Sequence, residues 1–434
     1  MKTVLLLLNE SYPYRKPSEA FLEPELKIAA QYFDQILILP SAQGMDTKDG
    51  REIHLKNVHV SPVKRESLFV EFIKSFLYIL RHKGFWQDIC LFSKKGLLFR
   101  ASAWRKLIYG LLTEAAIVRQ LKSIAGQIDE QAIVIAYSYW LFGEAGGAIA
   151  VKKILKNQRT LSIARGHGTD IAGYASLQGY SPLLKYYLEG LDGVFPISTT
   201  GGTRLQAQYE KYGAKSRSIG AKIHPFHLGI EDWREQEILP GGASDPFTIL
   251  SCSAVVPVKR VHLIVEALAQ IKSKKIRWVH LGDGELMGAV SDLCRNKLGE
   301  NVRYELKGAV PHSSVREFLR TNEVNLFVNV SASEGIPVSM MEAFLFGIPA
   351  IATDVGGTSE LCRDGINGFL VAKDFDSKDL ARRIEKMVDL TKNDVEAYLQ
   401  LRRAARQTVT EEFSIENHRR FYAYIRGMAQ GGVG

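Results

Sequence analysis

Short apolar runs alternate with longer amphipathic segments along most of this chain. The runs have the length of buried strands, and the segments between them have helical spacing. The predicted strands are Thr3–Leu8, Gln35–Pro40, Ala132–Ala136, Thr160–Ala164, Gly193–Ile197, Phe247–Ser251, Arg277–Leu281, Val302–Lys307, Leu326–Val330, Pro349–Ala352 and Gly368–Val371. Strands that alternate with helices are typical of parallel sheets with crossover helices, so the pattern predicts an α/β fold.

The pattern is most clearly interrupted between Glu231 and Pro246, which include the turn-forming triplet Pro240-Gly241-Gly242. Strand and helix patterns restart at Phe247 and continue to a final helix that begins with Ser414. A chain of 434 residues is long enough for two domains with large cores. We therefore predict a domain boundary at this interruption.

The composition is that of an ordinary globular protein, with 46% apolar and 24% charged residues. The four cysteines are widely separated and form no CxxC pair, which disfavours a zinc site or a disulfide framework and suits a reducing compartment. The apolar run Val4–Leu8 is shorter than a signal peptide requires, and no stretch is long enough to cross a membrane. We expect a cytoplasmic protein.

Positive charge is concentrated in residues 63–107. The net charge of the chain is +9, and this segment alone holds ten Lys or Arg residues against three acidic residues, together with nine aromatic residues. Basic and aromatic residues on helices suit an anionic membrane surface, so we predict peripheral contact with a membrane. In the alternative interpretation, the aromatic residues belong to the core and the cations are solvated. No nucleic-acid motif accompanies the charge, so nucleic acid is not an expected partner.

The most informative stretch is Asn325–Thr358. Its apolar run Leu326–Val330 predicts a strand, and Pro337 fits the first turn of a helix that should end at Gly347. A strand follows at Pro349–Ala352. The start of such a helix lies beyond the carboxyl end of a strand, where free N–H groups favour a phosphate.

Two carboxylates accompany this predicted phosphate site. Glu334 precedes the helix, and Glu342 lies inside it and leans towards the helix start. The pair is suited to binding the hydroxyl groups of a ligand whose phosphates contact the backbone. From the residues alone, an equally good interpretation is that Glu334 complements the helix dipole and Glu342 is a solvated surface residue.

The segments EGIPVSMMEA, from Glu334, and GIPAIATDVGG, from Gly347, resemble the donor-site motif of retaining glycosyltransferase family 4. The resemblance implies GT-B architecture, with two Rossmann-like domains whose parallel sheets face a central cleft. It implies an N-terminal acceptor-side domain over residues 1–230, a linker over 231–246 and a nucleotide-sugar domain over 247–412. The C-terminal helix, residues 413–434, would cross back to the N-terminal domain.

The activity implied by the resemblance is that of a retaining, hexosyl-type glycosyltransferase. It would move a sugar from a UDP- or GDP-sugar to a glycan or polyprenyl-linked acceptor in cell-surface polysaccharide biosynthesis. The departing phosphate oxygen would take the acceptor proton on the same face, which gives retention without an enzyme nucleophile. Fixed cations would replace a metal, and no cofactor is expected. Lipid-linked acceptors would place the protein at the inner face of the plasma membrane.

The resemblance also assigns donor-side roles. Lys259 would grip the diphosphate, and Arg260 would replace a family arginine whose position is occupied by Ala254. Glu334 would bind the donor sugar and Glu342 the ribose. The remaining expected donor contacts are Gly335, Ile336, Pro337, Val338 and Ser339 at the helix start, Gly282 and Gly284 in a loop lining the nucleotide pocket, and Val310 at the edge where the base packs.

On the acceptor side, His167 lies between two glycines after a predicted strand, which predicts that it is exposed. The resemblance makes it a catalytic-site residue near the donor sugar, although a lone histidine is more often structural. Asp170 would orient it or cap the next helix. The first strand-to-helix loop lacks the family's glycines and offers Tyr14, Arg15 and Lys16 to an anionic acceptor.

Three other functions remain open at this point. A nucleotide-sugar epimerase or hydrolase of the same fold would need acid and base residues, and His167 and Asp170 are the candidates. A non-catalytic nucleotide-sugar sensor or scaffold is suggested by the missing arginine. An NAD enzyme is disfavoured, because the glycines from Gly282 to Gly288 do not have the spacing of a dinucleotide fingerprint.

Overall fold

The chain folds into two compact units. A computed structural model describes residues 1–14, 19, 21–44, 50–155, 159–173, 177, 179–212, 217–233 and 245–431. Unit 1 comprises Met1–His227 and Glu416–Gly434, and unit 2 is the continuous segment Leu228–Ile415. Most of the predicted linker, residues 234–244, lies outside the described residues.

Unit 1 contains a parallel sheet with the order β3-β2-β1-β4-β5-β6. Its strands are β1 (Thr3–Asn9), β2 (Gln35–Pro40), β3 (Val58–Val60), β4 (Ile133–Ser138), β5 (Thr160–Gly166) and β6 (Gly193–Pro196). In the register of the sheet, Val4 of β1 lies opposite Gln35 of β2, and Thr3 lies opposite Ile133 of β4. All of β1 is buried, as expected for a parallel strand covered on both faces.

The helices of the first part of unit 1 surround this sheet. They are α1 (Leu22–Ala29), α2 (Leu68–Arg81), α3 (Lys83–Lys95), α4 (Ala101–Ile124), α5 (Gly143–Leu155), α6 (Thr169–Ala172), α7 (Leu184–Gly190), α8 (Thr199–Lys211) and α9 (Arg217–Gly220). Leu107 and Leu111 of α4 share one buried cluster with Leu6, Leu8 and Val134 of the sheet.

Unit 2 also contains a six-stranded parallel sheet, with the strand order β12-β11-β10-β7-β8-β9. Its strands are β7 (Phe247–Cys252), β8 (Ile276–Leu281), β9 (Val302–Leu306), β10 (Leu326–Asn329), β11 (Ala350–Thr353) and β12 (Gly368–Val371). Every pairing in this sheet is parallel. The strand order reverses between β7 and β10, which is where open α/β sheets bind ligands.

The helices of unit 2 are α10 (His262–Leu268), α11 (Met287–Lys297), α12 (His312–Thr321), α13 (Val338–Leu345), α14 (Thr358–Leu361), α15 (Ser377–Asn393) and α16 (Val395–Glu412). Leu380 and Ile384 of α15 are buried with Ile249, Trp278 and Val328 of the sheet. A short 3-10 turn, Pro257–Lys259, lies between β7 and α10.

The last helix, α17 (Glu416–Ala429), is part of unit 1. Its Tyr422 hydroxyl donates to the fully buried Glu25 carboxylate over 3.0 Å. Arg165 and His418 lie 3.6 and 3.7 Å from the same carboxylate. Burial alone would raise the pKa of Glu25, but the charges of His418 and Arg165, with hydrogen bonds from Tyr139 and Tyr422, lower it overall. A buried charged network therefore fastens α17 to unit 1.

Candidate donor site and the acceptor-side edge

Most of the predicted donor residues of unit 2 follow β7 and β10, between which the strand order reverses, and the others follow β8 and β9. The loop after β10 leads into α13, which begins at Val338, one residue after Pro337. Among the described residues no side chain caps this helix. Because the first N–H groups of a helix have no partners inside it, those of Val338 and Ser339 are available to an anion. Ile336 and Pro337 are buried beneath them.

A glycine turn after β11 fixes the position of the Glu334–Gly335 segment. The Gly357 N–H donates to the Gly335 carbonyl over 2.8 Å. Gly356 has a φ of +57°, and a Cβ atom there would lie 1.8 Å from the Glu334 carbonyl oxygen. Only glycine allows the two loops to approach this closely. The Gly356-Gly357 pair at the end of the motif therefore supports the Glu334-Gly335 segment at its beginning.

Lys259 and Glu334 form an ion pair at this position. The Lys259 ammonium donates to Glu334 Oε1 over 2.6 Å, and the side chains are 26% and 9% exposed. The Asn329 amide also donates to Glu334 Oε1, over 3.2 Å. The loops carrying the pair are joined by the Ala332 N–H, which donates to the Val258 carbonyl over 2.8 Å. A partly buried cation and carboxylate thus lie beside the start of α13.

Arg260 does not accompany Lys259. Its backbone is left-handed, with a φ of +51°, and this directs its side chain away from that of Lys259. Its Nε donates to the Val330 carbonyl over 2.8 Å, and its two terminal nitrogens donate to the carbonyls of Lys373 and Ser331 over 2.8 and 3.2 Å. These bonds hold the Arg260 guanidinium on three backbone carbonyls, and its predicted role as a replacement for the missing arginine stays a prediction. Arg260 ties loops together, and Lys259 is the cation paired with Glu334.

Glu342 lies on α13 with its side chain only 6% exposed, so it is not a solvated surface residue. Its carboxylate contacts Nε2 of His312, the first residue of α12, whose side chain is 47% exposed. Burial raises the pKa of the nearby Cys252 thiol to about 12, and the Glu342 charge contributes to the increase. The Lys259 charge lowers the pKa of the same thiol, against the effect of Glu342.

His312 was missed by the sequence analysis. It follows the segment that contains Val310, where the base was expected to pack, and Val310 itself is half-buried. A histidine at the start of a helix, two residues beyond Val310, was the available signal. Its partner Glu342 is thirty residues away in the sequence, so no local pattern connects them.

The loop carrying Gly282 and Gly284 packs against the loop after β7. Gly282 has a φ of +140°, and a Cβ atom there would lie 1.9 Å from the Ser253 carbonyl oxygen. At Gly284 the corresponding distance to the Val255 carbonyl oxygen is 2.5 Å. The Val255 N–H donates to the Asp283 carbonyl over 2.9 Å. These glycines bring two loops together at the carboxyl edge, one strand away from Lys259.

In unit 1 the predicted exposure of His167 is wrong. The residue is 9% exposed, and its ring lies 4.7 and 4.6 Å from the rings of Tyr139 and Trp140. Burial, followed by the charge of Arg165, lowers the pKa of His167 to about 3. The ring is therefore neutral at physiological pH. Among the residues that the structure describes, its buried Nε2 has no hydrogen-bond partner.

Asp170 and Glu19 organise the loops around His167. Asp170 accepts from the N–H groups of His167 and Gly168 over 2.8 and 2.9 Å, and from that of Leu141 over 3.1 Å. It is buried, and burial raises its pKa; its predicted place on the acceptor side stays a prediction. Glu19, which the sequence analysis did not select, accepts from the N–H groups of Ser11 and Tyr12 and from the Trp140 indole, each over 2.7 Å.

Tyr14 is half-buried and forms an antiparallel bridge with Gly50. Arg15 and Lys16 lie outside the described residues. Within the described part of the chain, no three His, Cys, Asp or Glu residues are grouped so that they could hold a metal ion.

Two Rossmann-like sheets, with a cation, two carboxylates and an uncapped helix start at the switch point of the second, define a GT-B protein built to hold an anionic sugar donor. The family model for glycosyl transferases group 1 matches residues 233–408, which include every donor-side residue described above. The chain belongs to the group 1 glycosyl transferases. The resemblance drawn from the sequence motif and the GT-B architecture are thereby confirmed.

Similar proteins support this assignment. A putative colanic acid biosynthesis glycosyltransferase, WcaL of Salmonella typhimurium, is 26% identical over 73% of this chain and 76% of its own length. The uncharacterized glycosyltransferase MJ1178 of Methanocaldococcus jannaschii is 32% identical over 60% of this chain and 67% of its own length. Among solved structures, Anabaena HepE in complex with UDP-glucose superposes with a TM-score of 0.63 at 16% identity, over 98% of this chain and 99% of that protein.

Proposed function

We propose that this protein is a retaining, metal-independent glycosyltransferase that moves a hexosyl group from a nucleotide diphosphate-sugar to a glycan acceptor in polysaccharide biosynthesis. The observation that carries the proposal is the grouping of Lys259, Glu334 and Glu342 around the start of α13. The colanic acid name of one relative supports the pathway class, and the UDP-glucose in HepE favours a UDP-sugar over a GDP-sugar.

In the proposed reaction, the bond between the anomeric carbon and the diphosphate oxygen breaks, and the acceptor oxygen bonds to that carbon on the same face. The acceptor proton passes to the departing phosphate oxygen. Lys259 and the N–H groups at the start of α13 stabilise the negative charge that develops on the diphosphate. Glu334 accepts from hydroxyl groups of the donor sugar while its ion pair orients the Lys259 ammonium.

Glu342 accepts from the ribose hydroxyls in this proposal. Its present contact with His312 occupies the same carboxylate, so the ribose replaces or shares that contact when the donor binds. A carboxylate that is 6% exposed is already largely dehydrated, and a hydroxyl donor therefore gains more there than at a solvated site. His312 is exposed enough to turn aside.

His167 is proposed to bind a sugar, not to move a proton. With a pKa near 3 it is a poor base at neutral pH, because the best general bases have a pKa near the working pH. Its Nε2 is buried and has no partner among the described residues, and it would accept a hydrogen bond from a sugar hydroxyl once the neighbouring Trp140 ring moves aside. This argues against an epimerase or hydrolase that relies on His167 as its acid or base.

The acceptor is proposed to be a glycan carried on a polyprenyl lipid, met at the cytoplasmic face of a membrane. The positive surplus of residues 63–107 supports this location, because anionic lipids attract such segments. The four free cysteines fit a reducing compartment. Among the described residues no helix is long and apolar enough to cross a bilayer.

The test is thermal stabilisation by a panel of UDP-, GDP-, ADP- and CMP-sugars, with NAD included. A ligand at 100 times its Kd stabilises the folded state by about 2.7 kcal/mol. We expect a shift with UDP-sugars, release of UDP when acceptor is present, and loss of most of the shift in Glu342→Gln. Glu317→Gln, an exposed carboxylate on α12, is the control.

Each other outcome of this test has a defined meaning. If no nucleotide-sugar in the panel raises the thermal stability, the proposal is overturned. A shift without turnover, in the presence of membrane-extracted acceptors, identifies a nucleotide-sugar sensor instead. Turnover of the donor without any acceptor identifies a hydrolase. An unchanged shift in Glu342→Gln removes the ribose role and leaves the remainder of the site intact.

A further inference from the structure

Helix α2 of unit 1 has its polar and apolar faces reversed relative to an ordinary surface helix. Its buried residues are Glu71, Ser75 and Ile79. Its exposed residues include Phe69, Ile73 and Leu77, which are 73%, 58% and 64% exposed. The other exposed apolar residues of the helix are Leu68, Val70, Phe72, Phe76 and Leu80. A helix that packs only on its own protein turns such residues inward.

The orientation of α2 is fixed by polar contacts beneath it. The Arg119 guanidinium of α4 donates to the Ser75 hydroxyl over 3.0 Å and to the Glu71 carboxylate. The Tyr78 hydroxyl donates to Glu114 over 2.7 Å. Rotating the helix to bury its apolar face would strand the buried Glu71 and Glu114 carboxylates away from these partners, which is costly. The apolar face is therefore directed outward by the fold itself.

The segment that follows this face in the chain is basic and aromatic. Arg81 at the end of α2, Lys94 near the end of α3, and Arg100 are exposed, as are Phe99 and Trp86, whose indole donates to the Leu80 carbonyl of α2 over 2.8 Å. An exposed apolar helix face in a segment with a positive surplus is complementary to an anionic lipid surface. A second copy of the chain would bring the surplus of seven positive charges in residues 63–107 against an identical surplus. Charge thus favours a bilayer over a homodimer.

The length of α2 determines how it would meet a bilayer. Fourteen residues form a helix of about 21 Å, which is shorter than the hydrocarbon core. The helix can therefore lie along the surface with its apolar side chains between the headgroups and the acyl chains.

The start of α2 is joined to the carboxyl edge of the unit 1 sheet. Arg65, just before the helix, donates to the carbonyl of Ser41, which follows β2, over 3.1 Å. The Gln43 amide donates to the Glu66 carbonyl over 2.9 Å. The Ser41 hydroxyl in turn donates to Glu144, at the start of α5, over 2.5 Å. This is the edge that also carries Tyr14 and His167.

We propose that α2 inserts its apolar face into an anionic bilayer and thereby holds the carboxyl edge of the unit 1 sheet at the lipid surface. An acceptor on a lipid then meets this edge without leaving the membrane. Only the name "acceptor side" for this edge rests on the proposed function; docking and orientation are independent of it. The cations bring the protein to the bilayer, and the apolar face retains it.

The first experiment is flotation of the full chain with vesicles of phosphatidylcholine and phosphatidylglycerol at low and high salt. We expect binding that persists in part at high salt and falls at least tenfold in the variant Phe69→Gln/Ile73→Gln/Phe76→Gln/Leu77→Gln. The control Ile366→Gln/Val395→Gln changes comparably exposed apolar residues in unit 2 and should bind like the parent. Circular dichroism verifies that each variant is folded.

Three results would overturn docking through α2. They are absence of the parent from the vesicle fraction, binding of the fourfold variant equal to that of the parent, and complete loss of binding at high salt. A parent that is dimeric in solution and becomes monomeric in the fourfold variant assigns the face to a second copy instead.

The second experiment tests orientation. In a Cys90→Ser background, a fluorophore is attached at Glu10→Cys, beyond the carboxyl end of β1, or at Glu130→Cys, before the amino end of β4. We expect headgroup-nitroxide lipids to quench the Glu10 position several-fold more than the Glu130 position. Equal or reversed quenching overturns the orientation. Neither experiment uses a sugar, so failure of the proposed enzymatic function would leave both results unchanged.

Discussion

The replacement of Lys259 by alanine tests the proposed chemistry directly. The Lys259 ammonium lies 2.6 Å from Glu334 and is 26% exposed, so it is only partly hydrated. At an effective dielectric constant near 20, unit charges about 4 Å apart interact by about 4 kcal/mol. The negative charge of Glu334 offsets part of the attraction between the Lys259 ammonium and the diphosphate. We therefore expect the activation free energy to rise by about 2–4 kcal/mol, which lowers kcat roughly 30- to 1000-fold. The change in donor Kd should be smaller.

The assay is steady-state release of nucleoside diphosphate, with donor affinity measured separately by calorimetry. In Lys259→Ala the Glu334 carboxylate has lost its ion-pair partner and repels the diphosphate. The added change Glu334→Gln should therefore recover part of the rate, with a coupling energy of about 0.5–3 kcal/mol. Lys275→Ala is the control, because that lysine is 76% exposed and precedes β8 at the opposite end of the sheet. A folded Lys259→Ala enzyme within threefold of the parent kcat would refute the reasoning, and equal losses in kcat and affinity would make Lys259 a binding residue.

Two further predictions concern a loop and the fold. Gly356→Ala should weaken donor binding at least tenfold, because its Cβ atom would push the Glu334 carbonyl. Gly365→Ala is the control: its φ is +75° and open space surrounds it, so it carries the backbone strain alone. Equal donor affinities of the two variants in calorimetry would contradict this. Glu25→Gln should destabilise unit 1 by about 3–5 kcal/mol at pH 7, because it removes the charge that compensates the buried Arg165. Because the pKa of Glu25 is lower in the folded protein, the stabilisation by its carboxylate is fully present above the pKa of an unfolded glutamate. It is lost as the pH falls through the lower folded pKa. Thermal melts in which the variant and the parent differ equally at pH 7 and at strongly acidic pH would refute this.

The sequence predicted features that depend on local rules. Pro337 and Gly347 bounded the helix that became α13, because proline favours a first turn and glycine an end. The buried runs became strands, because a parallel strand covered on both faces is apolar throughout its length. The lean of helical side chains also placed Glu342 towards the start of α13, and the structure shows that side chain buried, so the solvated alternative is excluded.

Features that depend on distant contacts were not predictable in this way. Arg260 adjoins Lys259 in sequence, yet its left-handed backbone sends it to the Val330 carbonyl. His167 was expected to be exposed because it lies between glycines, but the rings of Tyr139 and Trp140 cover it. The pattern of α2 showed an amphipathic helix without showing which face was buried. That choice is made by Arg119 and Glu114, which belong to another helix.

The course of the chain between the units has a consequence for how such proteins diversify. Unit 2 is one uninterrupted segment, and its two ends are adjacent: Ile230 pairs with Ser414, and its N–H donates to the Phe413 carbonyl over 2.9 Å. A domain whose two ends lie close together is readily inserted into, or replaced within, another domain. A single genetic replacement of residues 228–415 therefore exchanges the whole nucleotide-sugar module and leaves intact the half that bears α2. A lineage of such proteins can thereby change the sugar that it binds without changing the unit that carries the exposed face of α2.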